Sequence, residues 1–265
     1  MSRIRGTWNT RGMWAGGAAL AAVLTLSACS LLGAGETGSE VPVKGGAGAS
    51  MGASASPTPS YTAPSDWDEP ERWAALPRGQ RTDERGSQVG YPHTAEGAVA
   101  MMAAANTMTV EGGKSSVDEQ LRIYHSYISA DDQSAGAAEA VERQATDTDK
   151  MLARQMGVRA GQPLPSGAYV RSHIVGYKII KKSGDEVSAW LLGRVVQKNG
   201  ENEKESGSFT RVLGGAQWQG GDWKLTTTAT ERAQRDAQIE GKPPMAAPGD
   251  IMFNRAEWTA IREAS

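Results

Sequence analysis

The chain has 265 residues and a formal net charge of −2, enough for one domain of ordinary size plus extensions. Its mild acidity and the lack of any basic block exclude the electrostatic footprint of a nucleic-acid binder. It has one cysteine, Cys29; an odd cysteine in an exported protein suggests a reactive thiol or an intermolecular bridge, and its position supplies a better use.

Arg3, Arg5 and Arg11 form a basic start, followed by an apolar run from Ala15 to Leu24 and then by Leu26-Ser27-Ala28-Cys29. That order matches a secretion signal ending in a lipobox, with small residues before the cut and a thiol to take a diacylglycerol. Residues 1–28 are therefore expected to be removed, and Cys29 to become the lipid-bearing first residue. Acyl chains in pairs make membrane residence stable where one does not. No adjacent arginine pair occurs, which points to the general secretory route. The alternative is an uncleaved span, since Gly12 to Gly35 carries no charge and is long enough to cross a bilayer. Either way the remainder lies at the extracytoplasmic face of the cell membrane. Processing would leave 25 bases against 30 acids, because the signal carries three arginines and no acid.

Residues 29–89 read as the lipidated cysteine and a Gly/Ser/Ala/Pro-rich tether, too poor in large apolar residues to offset ordering entropy. A flexible chain of ~60 residues spans ~40 Å. Within it, Asp66 to Trp73 holds two tryptophans six apart, either a docking peptide or a segment packed on the domain.

The domain is expected over 90–230. Thr94 suits an N-cap, and Val99, Met102, Ala103 and Asn106 share a helical face. Ser116 with Glu119 suggests a capping box for a second helix, carrying Leu121, Tyr124 and Ile128. A third helix over 132–156 presents Ala138, Val141, Ala145, Leu152 and Met156 before Gly157. Alternation then predicts strands at 168–181, 187–198, 207–218 and 222–230, separated by short turns and so antiparallel. Residues 231–265 read as a short helix and an irregular tail. The expected fold class is α+β: three N-terminal helices packed on a curved four-stranded antiparallel sheet, a cystatin-like or nuclear-transport-factor-like cone.

Gly220-Gly221 predicts a two-residue hairpin turn that places Trp218 opposite Trp223 on one face, with Ala216 opposite Leu225 and Gly214 opposite Thr227. His93 sits in the turn before the first helix, His125 on the second helix and His173 in a strand. Asp118, Asp131 or Asp132 could orient His125 in an isomerase-like pair. No metal-ligand spacing, serine elbow or phosphate loop is present in the sequence, so no catalytic residue, metal or cofactor is assigned.

The segment Gly90-Tyr91-Pro92-His93-Thr94-Ala95-Glu96-Gly97-Ala98-Val99 resembles a helix-start signature of a family of uncharacterised actinobacterial surface lipoproteins and membrane proteins. Trp218-Gln219-Gly220-Gly221-Asp222-Trp223-Lys224-Leu225 resembles that family's final hairpin. Such domains are similar to the extracytoplasmic cone domain of the scaffold subunit of conjugative type IV secretion systems. The resemblance implies a non-enzymatic protein-interaction domain with an envelope protein as partner, in a conjugation or secretion apparatus. It brings no catalytic residues. The candidate interface residues are Tyr91, His93, Trp218 and Trp223, and the membrane lipid is reached through acylated Cys29. The alternative reading is a lipoprotein that binds a small ligand or cell-wall component in the cone pocket, and a cone-fold isomerase or dehydratase is a third.

Overall fold

The computed structural model describes residues 65–262, so the lipobox, Cys29 and most of the expected tether lie outside the described residues. The expected cone of three helices on a four-stranded antiparallel sheet is not what forms. The architecture is mixed α/β, built on a seven-stranded mixed sheet. Three short strands come first, β1 (Trp73–Ala75), β2 (Arg81–Thr82) and β3 (Gln88–Val89). Then follow α1 (Ala95–Ala105), β4 (Met108–Glu111), α2 (Ser116–Tyr127), a 3-10 turn at Ala130–Asp132 and α3 (Ala135–Gln155). The long strands β5 (Tyr169–Lys182), β6 (Glu186–Lys198) and β7 (Ser206–Gln219) lead into β8 (Asp222–Leu225). The chain ends with α4 (Thr227–Glu240), α5 (Ile251–Arg255) and β9 (Thr259–Arg262).

The sheet order is β1-β9-β5-β6-β7-β8, with β4 also on β5. Along one edge of β5, β4 takes Tyr169 to Ser172 and β9 takes Gly176 and Tyr177. β1 runs parallel to β9, pairing Trp73 with Ala260. The sheet is thus extended by segments that the sequence assigns to tether and tail. Strands of two to four residues put only one or two side chains on each face, too few for a period-two pattern to register. The β1–β9 pair also joins distant segments with no local turn to announce it.

The segment from Asp66 to Trp73 packs on the domain. Asp68 N donates to Gly249 O at 2.8 Å, and Asn254 donates to the Asp68 carboxylate while accepting from Glu71 N. The Arg262 guanidinium lies 4.7 Å from the Trp73 ring centre.

Alternate side chains of β5–β7 meet different layers. On one face Tyr177, Leu191, Val212 and Ala216 pack with Met101 and Met102 of α1 and with Tyr124 and Ile123 of α2. Leu152 of α3 and Met156 at its C-cap continue that layer onto Val170 and Val195. On the other face Trp190 and Leu192 pack with Ala237 of α4, Phe253 of α5 and Trp258.

Thr94 caps α1, its hydroxyl accepting from Gly97 N at 3.0 Å. The box on α2 falls one residue before the expected pair, formed by Ser115 and Asp118. Glu119 is therefore available for a different task. It is 2 % exposed, accepts from Thr109 N at 3.3 Å and pairs with Arg122 at 3.0 Å and with Lys114. Burial pushes its carboxyl up, but the Arg122 and Lys114 bonds outweigh that and hold it below the usual carboxylate range. A carboxylate lowered by folding stabilises the protein above its unfolded pKa of about 4.3, and that contribution is lost as the pH falls through the folded value. Glu119→Gln is expected to cost about 1–3 kcal/mol at neutral pH. Its urea midpoint should also fall less steeply than that of the native chain on acidification; parallel declines would show that Glu119 is not the group that titrates.

Candidate functional site

The site grows from the β7–β8 hairpin. Gly220 and Gly221 have φ of 60° and 84°, a pair of positive values that only glycine adopts without strain. The two-residue turn sets Gln219 opposite Asp222, Trp218 opposite Trp223 and Ala216 opposite Leu225, as the sequence predicts. Gly214 and Thr227 do not pair, because β8 stops at Leu225, where Thr226 becomes the N-cap of α4 and accepts from Ala229 N at 3.1 Å. Trp218 and Trp223 meet edge to face, ring centres 5.5 Å apart. Trp223 is fully buried, whereas Trp218 is half-buried at the surface.

Against this hairpin lies the turn that leads into α1. Asp222 is buried, and its carboxylate accepts from Gly90 N at 2.9 Å, Tyr91 N at 3.0 Å and Trp223 N at 2.9 Å. Trp223 Nε1 donates to Pro92 O at 2.8 Å. Gly97 closes the turn from the helix side, where an added Cβ would sit 2.0 Å from Pro92 O. The turn at Gly90 to Pro92 and the hairpin at Asp222 and Trp223 are therefore bonded to each other in one joint. Tyr91 is buried within it, so its side chain belongs to the core.

His93 stands outside the joint. Its ring stacks on Trp218 at 4.0 Å with a 9° tilt and meets the edge of Trp223 at 5.6 Å. Its Nε2 is 2.9 Å from Asp185 Oδ1, in the β5–β6 turn. Asp185 O also accepts from Trp218 N at 2.9 Å, so one residue fixes both members of the stack. Protein families, curated proteins and solved structures yield no match to this chain. A half-exposed indole, clamped on one face by an imidazole and on its edge by a buried tryptophan, has lost its rotamer freedom before any partner arrives.

The sequence names three residues, His93, Trp218 and Trp223, that the structure brings into ring contact, and a fourth, Tyr91, that the structure buries. It gives no hint of Asp185 or of the part Asp222 plays, because an acid beside a turn is ordinary and long-range acceptors leave no spacing. His125 meets Gln133 at 3.4 Å and the edge of Tyr124. Asp118 bonds Ser115, and Asp132 bonds Thr227 at the start of α4, so neither orients His125. His173 lies exposed in β5, opposite Arg194. Among the described residues no cluster of three potential metal ligands forms, and no helix is long and apolar enough to cross a membrane. Among the described residues, a cleft of about 190 Å³ is lined by Gly112 to Ser115, Asp149 and Gly161 to Leu164, and another lies between Leu76 to Gly79 and Ala100 and Ala103 of α1.

Proposed function

We propose that the chain is a lipid-anchored protein of the extracytoplasmic membrane face, whose folded part is a non-enzymatic module for binding another envelope protein. The observation that carries the interaction reading is the pre-organised, half-exposed Trp218 on its His93 stack. Indoles fixed in this way are favoured anchors at protein interfaces. The anchoring reading is supported by Leu26-Ser27-Ala28-Cys29 after an apolar run. A conjugation or secretion apparatus is the setting that the family resemblance favours.

Cys29→Ser is the direct test. The substituted chain is expected to lose all labelling by a clickable fatty acid and to leave the membrane pellet or to accumulate unprocessed. Placed beside it, a photo-crosslinking residue at position 218 should yield an adduct with an envelope protein in the anchored chain and lose it in Cys29→Ser. Unchanged acylation would end the lipoprotein reading, and no adduct at position 218 would end the interface reading.

A further inference from the structure

The register of β5–β7 exposes a second surface that the Trp218 site does not include. On the sheet face covered by α4, α5 and Trp258, that cover reaches Trp190 and Leu192, which are buried. The long strands run on past it. Opposite pairs across them place Arg194 between His173 and Phe209. In the next row Val196 lies between Arg171 and Gly207, and beyond that Lys198 faces Tyr169. Arg171 and His173 are exposed, Arg194, Val196 and Lys198 are half-buried, and Phe209, also half-buried, packs at the margin of the Trp190 cluster.

Charge and shape on this face agree. The Arg171 guanidinium lies 4.2 Å from the centre of the Tyr169 ring, and that of Arg194 lies 5.9 Å from the centre of Phe209. Arg194 also spreads over Gly207, where an added Cβ would meet its Nη2 at 3.7 Å. A guanidinium set against a ring can still offer its edge N–H groups to a bidentate acceptor; Arg171 already spends its edge on Glu111, which leaves Arg194 for an incoming acid. Two carboxylates reach the face: Glu111 pairs with Arg171, and Glu205 accepts from the Tyr169 hydroxyl. Arg194 and Lys198 have no carboxylate partner among the described residues. A cationic and aromatic strip therefore stands on a chain whose acids outnumber its bases.

We infer that this open half of the β5–β6–β7 face docks an acidic protein segment carrying interspersed aromatic or aliphatic residues. Charge complementarity selects the acids, because each would meet an unpaired cation. Val196 and Phe209 between the cations select apolar contacts as well, the Arg-plus-aromatic composition of interface centres. A purely anionic polymer would use the cations and leave the rings idle. The inference rests on the reading of the chain as an interaction module and assigns that module a partner chemistry.

The test uses the full chain purified in detergent and a labelled glutamate–tyrosine copolymer as probe, read by fluorescence anisotropy. The native chain is expected to bind it in a salt-sensitive manner. Arg194→Glu with Lys198→Glu should weaken binding by about tenfold or more, while Arg143→Glu with Lys150→Glu, the same charge change on the exposed side of α3, should not. Val196→Asp gives a second measurement that leaves both cations in place and should weaken binding too. Equal binding by the face and control variants would overturn the inference, as would inorganic polyphosphate binding as tightly as the copolymer. Loss of acylation in Cys29→Ser, or of crosslinking at position 218, leaves this measurement unchanged, so the two readings fail separately.

Discussion

Asp222→Ala is expected to be the most destabilising polar substitution in the domain, costing about 3–5 kcal/mol. The carboxylate is 3 % exposed and holds three backbone N–H groups from two segments more than 120 residues apart, Gly90 and Tyr91 on one side and Trp223 on the other. Alanine would leave those donors buried without an acceptor, and each such donor costs about 1–3 kcal/mol unless water enters. The turn before α1 would then be held to the hairpin mainly by the Trp223 Nε1 to Pro92 O bond. Asn at 222 keeps one carbonyl acceptor and should lose about half as much. Urea denaturation followed by tryptophan fluorescence measures both. A loss under about 1 kcal/mol for Asp222→Ala would show that solvent reaches the three donors.

Gly215→Ala is expected to strain the opposite side of the sheet. A Cβ there would stand 2.5 Å from the carbonyl carbon and oxygen of Ala229 and 2.7 Å from Thr230 N. These are backbone atoms in the first turn of α4, and they have little freedom to retreat. Thr227 is bonded to Asp132 through both its amide and its hydroxyl, at 3.0 and 2.8 Å, and Thr226 is bonded to Gln217 at 3.0 Å. The expected cost is about 1–3 kcal/mol, from overpacking alone. Its neighbour provides the contrast. A Cβ at Gly214 would meet Met102 Sδ at 2.6 Å, the far end of an unbranched and adaptable side chain. Gly214→Ala should therefore cost less than Gly215→Ala, and the reverse order in urea midpoints would show that α4 is free to shift.

What was legible in the sequence followed physical range. The caps and stripes of α1, α2 and α3, the three long strands and the Trp218–Trp223 register all rest on signals within a few residues. The Gly-Gly turn is the strongest of these, since backbone sterics leave little choice. The number of strands was not legible. β4 has four residues beside a helix, and β1 and β9 find each other only in three dimensions. The site was legible in composition, because tryptophan and histidine stand out, but not in wiring. Asp185 reaches His93 from 92 residues away, and the Arg194 strip becomes a surface only once it is known where α4 ends its cover. The one-residue offset of the capping box at Ser115 shows the same limit on a small scale: two adjacent serines fit the pattern, and the burial of Glu119 chose between them.

The parallel pairing of β1 with β9 imposes an order of events on the chain. β1 has no strand neighbour other than β9 among the described residues, so Trp73 must wait for Ala260 before its ladder can close. Contacts this distant in sequence form late, because the loop between them has to be ordered first. During synthesis, the segment from Trp73 to Ala75 will have left the ribosome while its partner is still unmade. The first strand to emerge is among the last to be placed, and until then β5 beyond Ser172 keeps an uncovered edge. A chaperone has its longest opportunity to hold this protein at that edge.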